Sequence, residues 1–139
     1  MTAALLRYED IKVGAVYEFA HTVVEEEVLA FAEITGDHNP LHVDSEFGKQ
    51  SQFGKNIVHG MLLGGLFSTL VGMYCPGENC LYMSQTLQFR KPVFYCDKVI
   101  VKGTVTEKSD GVRIITLKTE ITKESEIMIT GEAKVRVLK

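Results

Sequence analysis

The sequence has no excess of basic residues, no Cys-x-x-Cys pair and no long apolar run at its start, and each absence removes a class of function. Its formal net charge is −3 and no basic stripe stands out, which argues against a nucleic-acid partner held through phosphate contacts. Local basic spots for a small anionic ligand stay open. The three cysteines, Cys75, Cys80 and Cys96, are odd in number and lack metal-ligand spacing. They read as reduced thiols of a cytoplasmic protein rather than as a disulfide frame or a zinc site. Met1 to Asp10 is too short an apolar run for a signal peptide and carries acids too early for a transit peptide. No repeat, low-complexity stretch or linker breaks the chain, and 139 residues suit a single domain with a real core.

What is present is an uncharged run from Ile57 to Cys75. As a helix it would extend on the order of 25 to 28 Å, enough for the axis of a small domain or for a thin bilayer. His59 and Ser68 lie within it, no aromatic belt flanks it, and amphipathic strand patterns follow, so no membrane partner is expected. Gly60, Gly64, Ser68 and Gly72 recur every four residues and form a stripe where another backbone can approach. A helix apolar all round is one that is wrapped, most simply by a curved sheet.

The sheet is legible on both sides of that helix. Val16 to Thr22 alternates as a strand, and Leu81–Phe89, Lys98–Glu107, Val112–Thr122 and Ile127–Leu138 are four further strand-like runs. Asp110-Gly111 marks a tight hairpin and Lys123 to Glu126 a polar turn. Thr22 and Glu25 make a capping-box pattern for a helix from about Val23 to Thr35, with Val24, Val28, Leu29, Phe31, Ala32 and Ile34 on its apolar face. Gly36 stands where that helix should stop on a left-handed residue. The class is therefore α+β: an antiparallel sheet wrapped around one long central helix.

The chemistry gathers after Gly36. Asp37-His38-Asn39-Pro40-Leu41-His42-Val43-Asp44 packs four titratable side chains and an amide into eight positions. Pro40 prevents one helix from carrying both His38 and His42, which disfavours a paired-histidine metal site; no metal is expected. A polar loop making only turn hydrogen bonds is the alternative for this segment taken alone. Asp44 reads as the cap of a short helix to about Gln50. His59 and Gly60 open the long helix, where free N–H groups favour an oxygen gaining negative charge. Gly60 serving only for packing, like Gly64 and Gly72, is the alternative there.

Gly36-Asp37-x-Asn39-Pro40-x-His42, then Val58-His59-Gly60-Met61 and Phe89-x-x-Pro92-Val93, resemble the MaoC-like (R)-specific enoyl-CoA hydratases of the hot dog fold. The resemblance runs from about Tyr8 to Val137. It implies hydration of a trans-2-enoyl-CoA, with Asp37 and His42 as the catalytic pair and Gly60 as donor to the thioester carbonyl. Asn39, Ser68 and His59 become supporting or orienting groups. It implies no cofactor beyond the CoA of the substrate, and a homodimer with sheets joined edge to edge, or a dimer of dimers. Cys96-Asp97 departs from it, since relatives often have Gly-Asp there. A carboxylic acid and an imidazole, with ordinary pKa values near about 4 and about 6.5, can both be unprotonated at neutral pH and jointly activate one water. Leu63, Phe67 and Tyr82 are candidates for an acyl channel, and Lys49, Lys55, Arg90 and Lys91 for the anionic carrier. Two other reactions fit the same resemblance: dehydration of 3-hydroxyacyl groups on acyl carrier protein, and thioester hydrolysis. A non-catalytic acyl-binding domain would have no need of the pair.

Overall fold

The computed structural model describes all residues, 1–139. Strand β1 (Val16–Thr22) is followed by helices α1 (Glu25–Thr35), α2 (Pro40–Val43), α3 (Ser45–Gln50) and α4 (Gly60–Thr69), which continues as a π-helical turn over Leu70–Tyr74. Strands β2 (Cys80–Gln85), β3 (Gln88–Phe89), β4 (Lys98–Ser109), β5 (Ile114–Lys123) and β6 (Glu126–Val137) complete one antiparallel sheet in the order β1-β4-β5-β6-β2, with β3 also paired to β6. This is the α+β hot dog arrangement, an antiparallel sheet packed on a central helix.

The alternating residues form the floor under that helix. Leu63, Phe67 and Leu70 share a buried cluster with Val99, Val101, Ile121, Met128 and Ile129. One turn further, Val71 and Cys75 join Val105, Ile115, Leu117, Val135 and Val137. Gly103 lets the helix settle on β4, since a Cβ there would lie 2.8 Å from Leu70 Cδ2. Gly131 serves a different crossing: a Cβ would sit 2.0 Å from the Thr86 carbonyl oxygen. The chain therefore passes over β6 at Thr86-Leu87, which splits the expected single run Leu81–Phe89 into β2 and β3.

Several local expectations give way to backbone pairing. The long helix begins at Gly60 rather than Ile57, because Ile57 bridges to Phe94 and the Val58 N–H donates to the Val93 carbonyl at 2.8 Å. For α1 the Thr22/Glu25 capping box does not form. Val23 is held extended between Asp97 O and Cys96 N, at 3.0 and 2.6 Å, so the helix starts at Glu25 with Val24 as an uncapped N-cap. Within α1, Val28 and Ala32 are buried whereas Leu29 and Ile34 are exposed. The central helix is covered on its sheet side only, leaving Met61, Gly65 and Ser68 exposed. No helix is long and apolar enough to cross a membrane.

The turns divide in the same way. Lys123 pairs with Glu126 across Glu124 and Ser125, both left-handed at φ 50° and 67°, the geometry a two-residue hairpin requires. Asp110-Gly111 does not make such a hairpin. A bulge between Val105 and Glu107 shifts the register so that Ser109 faces Ile114, and four residues close the loop with Arg113 at φ 53°. The Asp110 carboxylate accepts the Tyr8 hydroxyl at 2.7 Å, tying the loop to the N-terminal segment.

All three cysteines are free; burial pushes the Cys75 thiol up to about 12. Cys96 stands at φ 68° in the turn leading into β4, a conformation that disfavours a side chain by about 1–2 kcal/mol. Replacing Cys96 by Gly should therefore raise stability by about 1 kcal/mol, seen as a rise in Tm of about 3 °C. An unchanged or lower Tm would contradict the strain.

Candidate active site

The residues after Gly36 are placed by short-range hydrogen bonds. Gly36 ends α1 at φ 82°, with its N–H on the Ala32 carbonyl at 2.8 Å. Thr35 Oγ1 accepts the Asp37 N–H at 3.2 Å, and Asp37 Oδ1 accepts the Asn39 N–H at 3.2 Å. Asn39 is the N-cap of α2: its Oδ1 accepts the Leu41 N–H at 3.0 Å, and Pro40 occupies the first helical position, where its missing N–H costs nothing. This single turn of helix aims His42 inward. Asp44 then caps α3, accepting from the N–H groups of Glu46 and Phe47 at 3.0 and 3.1 Å.

The α2 turn is fastened to the segment that opens α4. Asn56, buried, directs Nδ2 at the carbonyls of Pro40, Leu41 and Asp44, at 3.3, 2.9 and 2.8 Å. Gly48 makes room for it, since a Cβ there would lie 2.7 Å from both Asn56 N and Nδ2. The Ile57 carbonyl accepts from His42 Nδ1 at 2.8 Å. A carbonyl can only accept, so Nδ1 carries the proton and Nε2 keeps its lone pair. The Tyr95 hydroxyl donates to the His42 carbonyl from the opposite side.

His59 lies beneath, 2% exposed. Its ring stacks on His42 with centroids 4.0 Å apart, and Phe31 packs against it at 4.8 Å. His59 Nε2 is 3.0 Å from the Asp37 carbonyl oxygen and therefore holds the proton, leaving Nδ1 buried without a partner. One polar atom each from Asp37, His42 and His59 lies within 4.8 Å of the other two. The Gly60 N–H, first of α4, has no acceptor in the protein. Asp37, His42, His59 and Gly60 all line one cleft of about 480 Å³, whose remaining wall is largely apolar and includes Leu63, Phe89, Val93 and Ile129. A carboxylate and an imidazole lone pair thus face a cavity beside a free N–H at a helix start. That is equipment for moving a proton while charge settles on an oxygen.

The family model for the MaoC-like domain matches residues 10–127. This chain belongs to the MaoC-like family. A 3-hydroxybutyryl-CoA dehydratase of Methylorubrum extorquens is 38% identical over 135 residues, 97% of this chain and 86% of that protein. An (R)-specific enoyl-CoA hydratase of Aeromonas caviae is 39% identical over 130 residues, 93% of this chain and 97% of the other. The solved (R)-hydratase from A. caviae involved in PHA biosynthesis superposes with a TM-score of 0.90 at 38% identity, over 93% of this chain and 98% of that one.

In this MaoC-like cleft the residues singled out by the sequence are sorted by position. Asp37, His42, His59, Gly60, Leu63, Arg90 and Lys91 line it. Asn39 does not line it; it caps α2 through its side-chain Oδ1, and its N–H donates to Asp37. Phe67 is fully buried between α4 and the sheet, and Tyr82 packs in the second core cluster; neither lines the cleft, since Phe67 lies one turn beyond Leu63 on the same face of α4 and β2 contributes no residue to it. Ser68 is exposed, two helical turns beyond Gly60. His38 turns outward toward Glu33, at 3.5 Å. Lys49 is exposed beside Glu46, at 3.6 Å, and Lys55 lies over the Phe94 ring. Sequence reasoning missed Asn56 and Tyr95. A lone polar residue before an apolar run carries no periodic signal, and its partners are up to sixteen positions away.

Asn56→Ala should cost about 1–3 kcal/mol, because buried carbonyls lose their donor. Thermal or urea unfolding measures this, and a change within experimental error would show that the join of α2 to α4 does not depend on this amide.

Proposed function

We propose that this protein is an (R)-specific enoyl-CoA hydratase, adding water to a trans-2-enoyl-CoA to give the (R)-3-hydroxyacyl-CoA. The observation that carries this reading is the meeting of Asp37, the Nε2 lone pair of His42 and the free Gly60 N–H in one apolar-walled cleft. Asp37 and His42 hold a water between them. Its oxygen bonds to C3, its proton passes to the pair, and the C2–C3 π electrons move toward the thioester carbonyl. The Gly60 N–H stabilises the resulting enolate oxygen, a kind of contact worth about 3 to 4 kcal/mol where comparable donors have been removed. The proton then returns to C2 on the same face. Water and the two side chains account for every proton moved.

His59 supports the pair from below as the stacked floor under His42 and the donor to the Asp37 carbonyl. The apolar wall, with Leu63, Phe89 and Ile129, suits an acyl chain. The same reading takes the protein to be a cytoplasmic homodimer. Three free thiols favour a reducing compartment. The edge strand β2 carries the exposed side chains of Leu81 and Met83, a surface suited to pairing with a second sheet.

With crotonyl-CoA, the enoyl absorbance should fall without release of free thiol. Thiol release instead would identify a thioesterase. Asp37→Asn and His42→Ala should each lower turnover by at least about 100-fold with thermal unfolding little changed. Near-normal turnover in either variant would overturn the assignment.

A further inference from the structure

His42 has to be held from outside its own helix. The α2 helix, Pro40–Val43, is closed by the Asp44 N–H on the Pro40 carbonyl at 3.0 Å, and a single helical turn does not keep its shape unaided. Asn56 Nδ2 donates to the carbonyls of Pro40, Leu41 and Asp44 and passes over that of His42. No backbone N–H reaches the His42 carbonyl either. Its partner is the Tyr95 hydroxyl.

Tyr95 stands on a turn that is itself tied down. The Val93 carbonyl accepts the Val58 N–H at 2.8 Å, Phe94 bridges to Ile57, and Tyr95 reaches α2. Successive residues of one strap thus hold successive parts of the rim of the site. Beyond them the Cys96 N–H donates to the Val23 carbonyl at 2.6 Å. The Asp97 carboxylate accepts the Phe94 N–H at 2.8 Å and pairs with Lys123 at 2.9 Å. The Tyr95 ring packs against the core cluster that contains Val99 and Ile129, and it does not line the cleft. Burial, and after it the charge of Glu25, push the Tyr95 hydroxyl up from its ordinary value, so it remains a donor at neutral pH.

We propose that Tyr95 is a positioning residue for the reaction: its hydroxyl fixes the main chain of His42 while the Ile57 carbonyl fixes the ring, and the two ties together set the direction of Nε2 into the cleft. The effect on turnover rests on the hydratase reading, whereas the geometry is independent of it. A tie at Nδ1 alone leaves the imidazole free to pivot about that bond as α2 rocks. Holding the main chain removes the pivot. Misplacing a reacting group by about 1 Å costs on the order of 100-fold in rate, so a smaller loosening of His42 is still read in kcat.

Tyr95→Phe removes the hydroxyl and keeps the ring. With crotonyl-CoA it should lower kcat by about tenfold while KM changes by less than about twofold, because the contact orients a reacting group and does not bind substrate. Thermal unfolding should fall by no more than about 4 °C. In a His42→Ala background the same substitution should leave the residual turnover unchanged, since no imidazole remains to be aimed. A general weakening of the fold would instead lower turnover in both backgrounds alike. A second measurement needs no activity: in NMR spectra of protein with isotope-labelled histidine, the His42 ring should give one sharp Nδ1–H signal in the wild type and a broadened or doubled one in Tyr95→Phe. Wild-type kcat in Tyr95→Phe, an equal loss in both backgrounds, or unaltered His42 signals would overturn the role of Tyr95 and leave the assignment of Asp37 and His42 intact. A wild-type protein that did not hydrate crotonyl-CoA would sink the reaction, and the histidine spectra would still decide whether Tyr95 orders His42.

Discussion

The site depends on one buried amide. Asn56 Nδ2 gathers the carbonyls of Pro40, Leu41 and Asp44, and four residues later in the chain the α4 helix begins. The same short segment therefore holds the turn that presents His42 and sets the start of the helix whose first N–H is free. Ile57 adds the second tie, its carbonyl selecting the His42 tautomer. A buried donor shared among three acceptors is costly to displace, so the imidazole and the Gly60 N–H are held in mutual register without either touching the other.

The sheet makes that register stiff. Val58 and Ile57 are drawn into extended conformation by Val93 and Phe94, and Leu63, Phe67 and Leu70 then lock α4 onto β4, β5 and β6. Close packing of this kind has low compressibility and resists displacement. The polar groups are consequently carried on a short loop and one helix start, while the elements below them provide the rigidity. The cleft stays apolar along its wall because that wall is the upper edge of the core, with Leu63, Val93 and Ile129 belonging to both.

The features that were legible in the sequence are those decided over a few residues. Gly36 stopping α1, Asp44 capping α3 and the alternation of Val99, Val101 and Val105 all depend on neighbours within one turn or one pleat. The Asp37 to His42 hexad stands out by its density of titratable groups and its resemblance to a family motif, but the sequence reads as a loop where Asn39 caps and Pro40 opens a turn of helix. Expectations that failed were those in which a distant backbone competes. The capping box at Thr22 loses to pairing of Val23 with Asp97 and Cys96, and the hairpin at Asp110-Gly111 loses to a bulge four residues upstream and a tie to Tyr8.

Periodicity also cannot say which apolar residue finds a partner. Leu29 and Ile34 fit the apolar face of α1 and are exposed, and Phe67 fits an acyl channel and is sealed in the core. The sequence by itself determined the order of the main strands and helices, the stop of α1 at Gly36 and the cap of α3 at Asp44, because propensity, capping and alternation act between neighbours. Only the tertiary structure decided that α4 opens at Gly60, that His59 lies under His42, that Asn56 joins the two halves of the site and that Tyr95 reaches the His42 carbonyl. Those outcomes depend on hydrogen bonds and packing between segments far apart in the chain, which form only when the sheet has closed over the helix.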